Sequence, residues 1–466
     1  MPDWLILLLP LASQTLFVFA FGACAGSLAN VLVYRMPLGL DVVAPASRCP
    51  ACDTRLTWRE NIPIFGWVFL GGKCRFCKSK ISAEYPAVEL LVALLFAGLY
   101  LLWYHAPGSM TVLGLPLGAV SPEWAGNGVL QTWPAFVVLL FLVGSLVPIT
   151  LIDARTFTIP LSLTWTPAVI ALVLHTGHAL WFQLAHGSPD LVFDGGNWRA
   201  DDGARWLTAD GALWTLPTPG VTGWPWIGLA IGGMVGVGVS LLAVRFGLIS
   251  RSFGDYDAWE AKAREEAGPA TATGDDHAGD EDSPAEIWLQ YPHARREMVR
   301  ELAFCAPPVL LGVLGFWLAG RFGPVVPGWP PMTTSGMWVV PDGAPQLWLL
   351  VLSGVLLGYL IGGAVVWAVR IFGSLAFGKE AMGMGDVHLM AAVGACIGWI
   401  DTTLAFFGAA FVGVAYAIAS ALANKGAPRA MPYGPFLAVA TLLVLVGKPL
   451  VEWVLSRLMG MPVDLV

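Results

Sequence analysis

Apolar runs long enough to cross a hydrocarbon core recur along this chain, separated by short polar stretches. A crossing helix needs about 20 mostly apolar residues. Ten runs approach or exceed that length: 5–33, 86–104, 133–152, 160–182, 225–244, 302–320, 347–369, 387–400, 403–423 and 434–457. The eighth is the shortest. Each is expected to be helical, because a lone strand in lipid would leave its backbone N–H and C=O groups unpaired. The first run follows a single ionisable residue, Asp3, and lacks the basic start of a secretory signal, so it is expected to remain as a membrane helix. The pattern therefore predicts an all-α fold, a polytopic integral membrane bundle of 8–10 transmembrane helices.

Composition narrows this further. Only 12% of the 466 residues are charged, where soluble globular proteins carry about 25%. Apolar residues make up 56% and mean hydropathy is +0.69. Together with 22 Trp and 23 Phe, suited to bilayer interfaces, these values exclude a soluble enzyme and a largely disordered chain. No basic stripe suggests nucleic acid as a partner; membrane lipid is the expected surrounding.

Charge placement supplies orientation. The loop after the first run carries Arg35, Arg48, Arg55, Arg59, Lys73, Arg75, Lys78 and Lys80 against four acids. The next loop, 105–132, has Glu123 and no Lys or Arg. The positive-inside rule then makes the first loop cytoplasmic, and alternation puts 153–159, 245–301, 370–386 and 424–433 on the same side. Of the 32 acids, 13 lie between Asp255 and Glu301, so the net charge of −7 is local. Within that insert, residues 268–284 have the composition of a disordered tract, and a solvated linker is its simplest role. The expected divisions are residues 1–34, a first transmembrane helix; 35–85, a cytoplasmic cysteine loop; 86–244, helices carrying a first functional aspartate; 245–301, the acidic cytoplasmic insert; and 302–466, helices carrying a second.

Two C-x-x-C pairs, Cys49/Cys52 and Cys74/Cys77, are the most specific local signal. Four thiolates in two such pairs complete the tetrahedral shell that structural zinc prefers, and a metal would fold a polar loop too small for a core of its own. Disulfides or free thiols are the alternative, and a cytoplasmic location argues against disulfides. Cys24, Cys305 and Cys396 fall in apolar stretches and are expected to be buried thiols.

Acids at span ends are the second signal, since carboxylates in lipid are costly. Asp153 closes the third run and Asp386 opens the eighth in Met382-Gly383-Met384-Gly385-Asp386, both toward the cytoplasmic side. Two carboxylates that approach closely share one proton, leaving one as general base for water and the other as general acid. That arrangement hydrolyses peptide bonds. Taken singly, Asp153 is also readable as an interfacial acid paired with Arg155, and Asp386 as a helix N-terminal acid. His388 reads as a polar residue near the surface. The sequence has no G-x-S-x-G, H-E-x-x-H or Walker string.

Several strings in order resemble the type IV prepilin leader peptidases. They are Phe21-Gly22-Ala23-Cys24-Ala25-Gly26-Ser27-Leu28-Ala29-Asn30 with Arg35 and Pro37, the cysteine quartet enclosing Glu60-Asn61-Ile62-Pro63, and Tyr85-Pro86 with Glu89. Downstream come Ile159-Pro160, Gly378-Lys379-Glu380, Gly383-Met384-Gly385-Asp386 and Pro432-Tyr433-Gly434-Pro435-Phe436. The resemblance implies a GxGD-type aspartyl peptidase of the bacterial inner membrane with Asp153 and Asp386 as the catalytic pair. It implies prepilins and type II secretion pseudopilins as substrates, and in bifunctional members N-methylation of the new N-terminus from S-adenosylmethionine. The cysteine quartet favours the bifunctional form. This chain departs from the family pattern at Leu161 and His388 and by two added spans. A peptidase without methyltransferase activity, a proton-coupled transporter and a non-catalytic assembly protein are the competing readings.

Overall fold

In the computed structural model the described residues are 3–44, 47–106, 120–187, 190–192, 197–199, 205–206, 223–256, 258–259, 261–262, 293–323, 337–338, 345–423 and 432–460. The expected disordered tract at 268–284 lies outside them. Helices dominate: α1 (Asp3–Arg35), the short α2 (Phe65–Phe69), α3 (Glu84–Tyr104), α4 (Val129–Thr156), α5 (Leu161–His186), α6 (Gly223–Arg245), α7 (Ala294–Phe322), α8 (Leu347–Phe377), α9 (Met384–Ile397), α10 (Trp399–Leu422) and α11 (Gly434–Met459). Eight of them are long and apolar enough to cross a membrane, while α9 and part of α11 are shorter apolar helices. The ten expected runs thus each coincide with a helix.

Their outer faces are what lipid requires. Leu94, Val173, Trp181, Leu242, Leu310 and Phe411 are all more than half exposed, an arrangement water would penalise. The protein is a multi-pass membrane protein. Lipid exposure also corrects two thiol expectations: Cys24 is exposed and Cys305 only half-buried, whereas Cys396 is buried. An apolar neighbourhood in sequence means a lipid-facing surface as often as a protein core.

Helix α9 explains its own shortness. Its 14 residues rise about 21 Å, less than the hydrocarbon thickness. Every residue from Leu389 to Ile397 is buried, because α9 sits in the centre of the bundle against α8, α5, α10, α4 and α11. Its contact with α8 is made at Gly358 and Gly394, where a Cβ on either would strike the backbone carbonyl of the other. Without a hydrophobic drive between helices in lipid, such close backbone approach supplies the packing. Polar ties add to it: the Cys396 thiol donates to the Pro167 carbonyl of α5 at 3.5 Å, and His175 Nε2 lies 3.4 Å from the Cys396 carbonyl oxygen.

At one end of the bundle Asp190–Val192, Asn197–Arg199, Arg205–Trp206 and Met337–Trp338, numbered β1 to β4 in that order, make a small antiparallel sheet in the order β3-β2-β1-β4. This adds to the all-α expectation. Pairing of β1 with β4 joins the α5–α6 and α7–α8 connections, which the charge argument had placed on one side. The opposite end carries the cysteine loop and both aspartates.

Overpacking the α8–α9 contact tests this arrangement. Gly358→Leu is expected to cost about 3 kcal/mol or more and to lower the detergent-solubilised thermal midpoint sharply. Gly238→Ala, at an open position on α6, is expected to be neutral in the same measurement.

Candidate active site and metal loop

The cysteine loop is built as one knuckle made twice. In the first, Cys49 N–H donates to the Thr54 carbonyl (3.0 Å), Asp53 N–H donates to the Cys49 carbonyl (2.8 Å), and Arg48 bridges Arg55. The same contacts recur with Cys74 N–H to Ser79 (2.8 Å), Lys78 N–H to Cys74 (3.1 Å) and the Lys73/Lys80 bridge. Asp53 and Lys78 close the two turns with left-handed backbones, φ 50° and 60°. The result brings the four sulfurs within 4.8 Å of one another, with Cys49 Sγ 3.9 Å from Cys77 Sγ. A tetrahedral ion with metal–sulfur bonds of about 2.3 Å needs sulfurs about 3.8 Å apart. The donor set fits a metal ion.

The thiols are prepared for it electrostatically. The Ala51 and Cys52 amides, assisted by the Ser79 hydroxyl, pull Cys49 down to about 6. The Ser79 hydroxyl and amide lower Cys77. Cys74, despite the Cys77 and Phe76 amides, is pushed up by burial and by the neighbouring Cys49 and Cys77 sulfurs.

Glu60 and Glu89 fasten the loop. Glu60 is held down to about 2 by the Thr57 hydroxyl and by Arg75, whose Nη1 lies 2.9 Å from Oε1. Glu89 on α3 accepts the Ile64 N–H at 2.6 Å. That bond holds Ile64 at φ 63° and ψ −58°, a left-handed turn a β-branched residue rarely adopts.

Asp153 lies in the last turn of α4 and Asp386 in the first turn of α9, 5% and 7% exposed. Their carboxylates interact electrostatically. Phe157, in the left-handed region at φ 53°, caps α4 by donating its N–H to the Asp153 carbonyl at 2.9 Å and turns the chain toward Ile159. Ile159 packs against the glycines next to the two acids. Its side chain packs 2.8 Å from where a Gly385 Cβ would stand and 3.3 Å from where a Gly434 Cβ would stand. Gly434 N–H donates to Asp153 Oδ2 at 3.0 Å, and a Cβ there would lie 2.6 Å from that oxygen. Glycine at 385 leaves room for the Ile159 side chain.

Arg155 does not pair with Asp153. It pairs with Glu84 at the start of α3, so the interfacial-pair alternative for Asp153 is absent. Two contributors escaped sequence reasoning. Gly434 stood in a quoted string, but nothing in the string shows that its amide meets Asp153. Arg370 was counted as a loop charge, whereas α8 extends past it to Phe377 and leaves it 2% exposed. His388 is half-buried beyond Asp386.

Fold and site together define a multi-pass membrane protein with a four-cysteine loop able to hold a metal ion and two buried aspartates at the same end of its bundle. The resemblance to the type IV prepilin leader peptidases is shown at two places: residues 20–103 match the bacterial peptidase A24 N-terminal domain and residues 328–418 match the type IV leader peptidase family. The first match holds the cysteine quartet and the second holds Asp386; Asp153 and Gly434 lie outside both. A prepilin leader peptidase/N-methyltransferase of Myxococcus xanthus (strain DK1622) is 37% identical over 168 residues, covering 36% of this chain and 40% of that protein. Proteins of the same name from Klebsiella pneumoniae (42% over 109 residues, 22% of this chain and 46% of that protein) and Bacillus subtilis (strain 168) (46% over 80 residues, 17% and 32%) also match. The chain thus spans less than half the length of these curated relatives. No solved structure matches.

Metal content checks the loop directly. Purified protein is expected to carry about one tightly held ion per chain, and Cys49→Ser or Cys74→Ser to lose it by elemental analysis while Cys24→Ser retains it.

Proposed function

We propose that this protein is a membrane aspartyl peptidase of the bacterial inner membrane, cleaving leader peptides from type IV prepilins, and from pseudopilins of type II secretion, on the cytoplasmic side. The observation that supports the reading is the burial of Asp153 and Asp386, from helices far apart in sequence, at one end of the bundle within electrostatic reach of each other, with Ile159 packed against both Gly385 and Gly434.

In the proposed reaction the two carboxylates share one proton and hold one water. The ionised carboxylate takes a proton from the water as its oxygen attacks the scissile carbonyl carbon. The protonated carboxyl gives its proton to the carbonyl oxygen, and a tetrahedral diol forms. Return of a proton to the amide nitrogen breaks the C–N bond and releases an acid and an amine. The Gly434 amide orients the Asp153 carboxylate throughout.

The tetrathiolate loop is proposed to hold zinc as a structural ion, which when bound closes the two knuckles into one unit. S-adenosylmethionine is the proposed methyl donor for a second activity on the freed N-terminus, supported by the names of the matching relatives. The expected divisions at 34, 85, 244 and 301 remain the proposed domain boundaries. A transporter reading loses its support because both acids sit at a bundle end rather than mid-span.

Asp153→Asn and Asp386→Asn are each expected to reduce cleavage of a prepilin in proteoliposomes by at least about a thousandfold, with unchanged elution in detergent. Gly434→Ala, which presses on Asp153, is expected to lower the rate more modestly. Mass analysis of the product N-terminus separates cleavage alone from cleavage with methylation. Full cleavage by Asp386→Asn would falsify the peptidase reading.

A further inference from the structure

Beside the aspartates lies a second set of buried charges that the proposed hydrolysis does not use. Arg370 on α8 and Glu301 on α7 are each 2% exposed. Arg370 Nε donates to both Glu301 oxygens at 3.2 and 3.1 Å, and Nη2 donates to Oε1 at 3.0 Å. Trp367 Nε1 donates to Glu301 Oε2 at 2.7 Å. The other arm of the guanidinium, Nη1, donates to Glu380 and to the Met382 backbone carbonyl, and the arginine's charge reaches Asp386. One side chain thus ties helix α7 to the connection that delivers Asp386.

The tie continues outward. The Phe253 ring lies 5.2 Å from Arg370 Cζ. Phe253 N–H donates to Glu297 Oε2 at 2.8 Å, and Arg300 Nη1 donates to both oxygens of the fully buried Glu297 at 2.8 Å. Arg295 Nε donates to the Leu375 carbonyl at the end of α8 (3.0 Å), and Ala381 N–H donates to Ser374 Oγ (3.0 Å). The end of α8 and Ala381 in the 378–383 connection are therefore each held by a polar contact. Glu297 and Glu301 lie outside both family matches, and Arg370 and Glu380 lie within the second.

A buried ion pair of this kind is weak as a source of stability, since apolar residues of similar shape often do as well. Its distinctive property is direction: a planar fork engages three partners at fixed angles. We propose that Glu301 and Arg370 are positioning residues, with α7 acting through Glu301 to hold Arg370 so that the 380–386 backbone places the Asp386 carboxylate against Asp153. The proposal rests on the peptidase reading for its kinetic consequence, but its structural consequence is independent of that reading. Helices α6 and α7 and residues 251–256 then form a strut for the site.

The test uses the full chain in proteoliposomes with a prepilin substrate, comparing wild type, Asp386→Asn, Glu301→Gln and Arg370→Lys. Glu301→Gln is expected to lower kcat about tenfold or more while KM stays within about twofold. Trypsin cleavage after the exposed Lys379 is expected to accelerate about fivefold as the connection loosens, with cleavage after Lys73 in the cysteine loop unchanged. Arg370→Lys keeps the charge but loses the fork, so it is expected to shift both readouts in the same direction, and it serves as the second probe if Glu301→Gln does not fold. Unchanged kcat with unchanged Lys379 cleavage overturns the proposal, as does a loss of activity accompanied by faster cleavage at Lys73, which marks general unfolding. A wild type that fails to cleave prepilin defeats the peptidase reading instead, while Lys379 still reports on the strut.

Discussion

Taking carboxylates out of water is the constraint on which this architecture turns. An ionised carboxylate without a partner in an apolar interior is too costly to keep. Here Asp153, Asp386, Glu297 and Glu301 are all at least nine-tenths buried. Each answer to that cost is also a helix contact. Asp153 takes the Gly434 amide and so joins α4 to α11; Glu301 takes Arg370 and Trp367 and joins α7 to α8; Glu297 takes Arg300 and the Phe253 amide and joins α7 to the segment after α6. The apolar faces of these helices fix little by themselves, because lipid competes equally for them. The polar contacts supply the register that hydrophobicity cannot.

The membrane spans were legible because span length is a property of a single helix and the bilayer sets it. All ten runs fall on helices, the short one at 387–400 mainly on α9 at 384–397. Its burial was not legible: a helix apolar on every face reads the same in sequence whether lipid or protein surrounds it. Cys24 and Cys396 show the ambiguity from both sides, one exposed and one buried in runs of similar composition. The same limit hid Arg370, Glu297 and Glu301. Each stands within a turn or two of an apolar run, where a charge reads as part of the adjoining loop, and only a partner on another helix makes it a core residue. The quoted motifs carried the identities of the site residues well and their contacts poorly, since a Gly434 amide reaching Asp153 is a relation across 281 residues.

The cysteine loop is the opposite case. Its contacts are local, so spacing carries them. The turn after each C-x-x-C pair needs one left-handed residue, and it falls on Asp53 in one knuckle and Lys78 in the other. Neither is glycine. Aspartate tolerates that backbone, but lysine does so at a cost, which a metal ion joining the two knuckles can offset. The less local part is the anchor: Glu89, on α3, captures the Ile64 amide and couples the loop to the α1–α3 pair, where Gly26 lets the Glu89 backbone approach closely.

Charge balance at the shared end of the bundle gives the aspartate pair its character. Arg370 meets Glu301 and Glu380 directly and Asp386 through its field, with Asp153 beyond. One buried cation cannot neutralise four acids. Glu380 is relieved by its partial exposure, and Glu301 uses most of the guanidinium. In the proposed reaction a single shared proton removes the mutual repulsion of Asp153 and Asp386, and the first turn of α9 adds amide dipoles that favour the one remaining negative charge. An arginine aimed squarely at the pair would hold both acids ionised and leave no proton to donate. By spending its hydrogen bonds on Glu301, Glu380 and Met382, Arg370 fixes the connection without discharging the pair, which is the condition under which one aspartate can act as base while the other acts as acid.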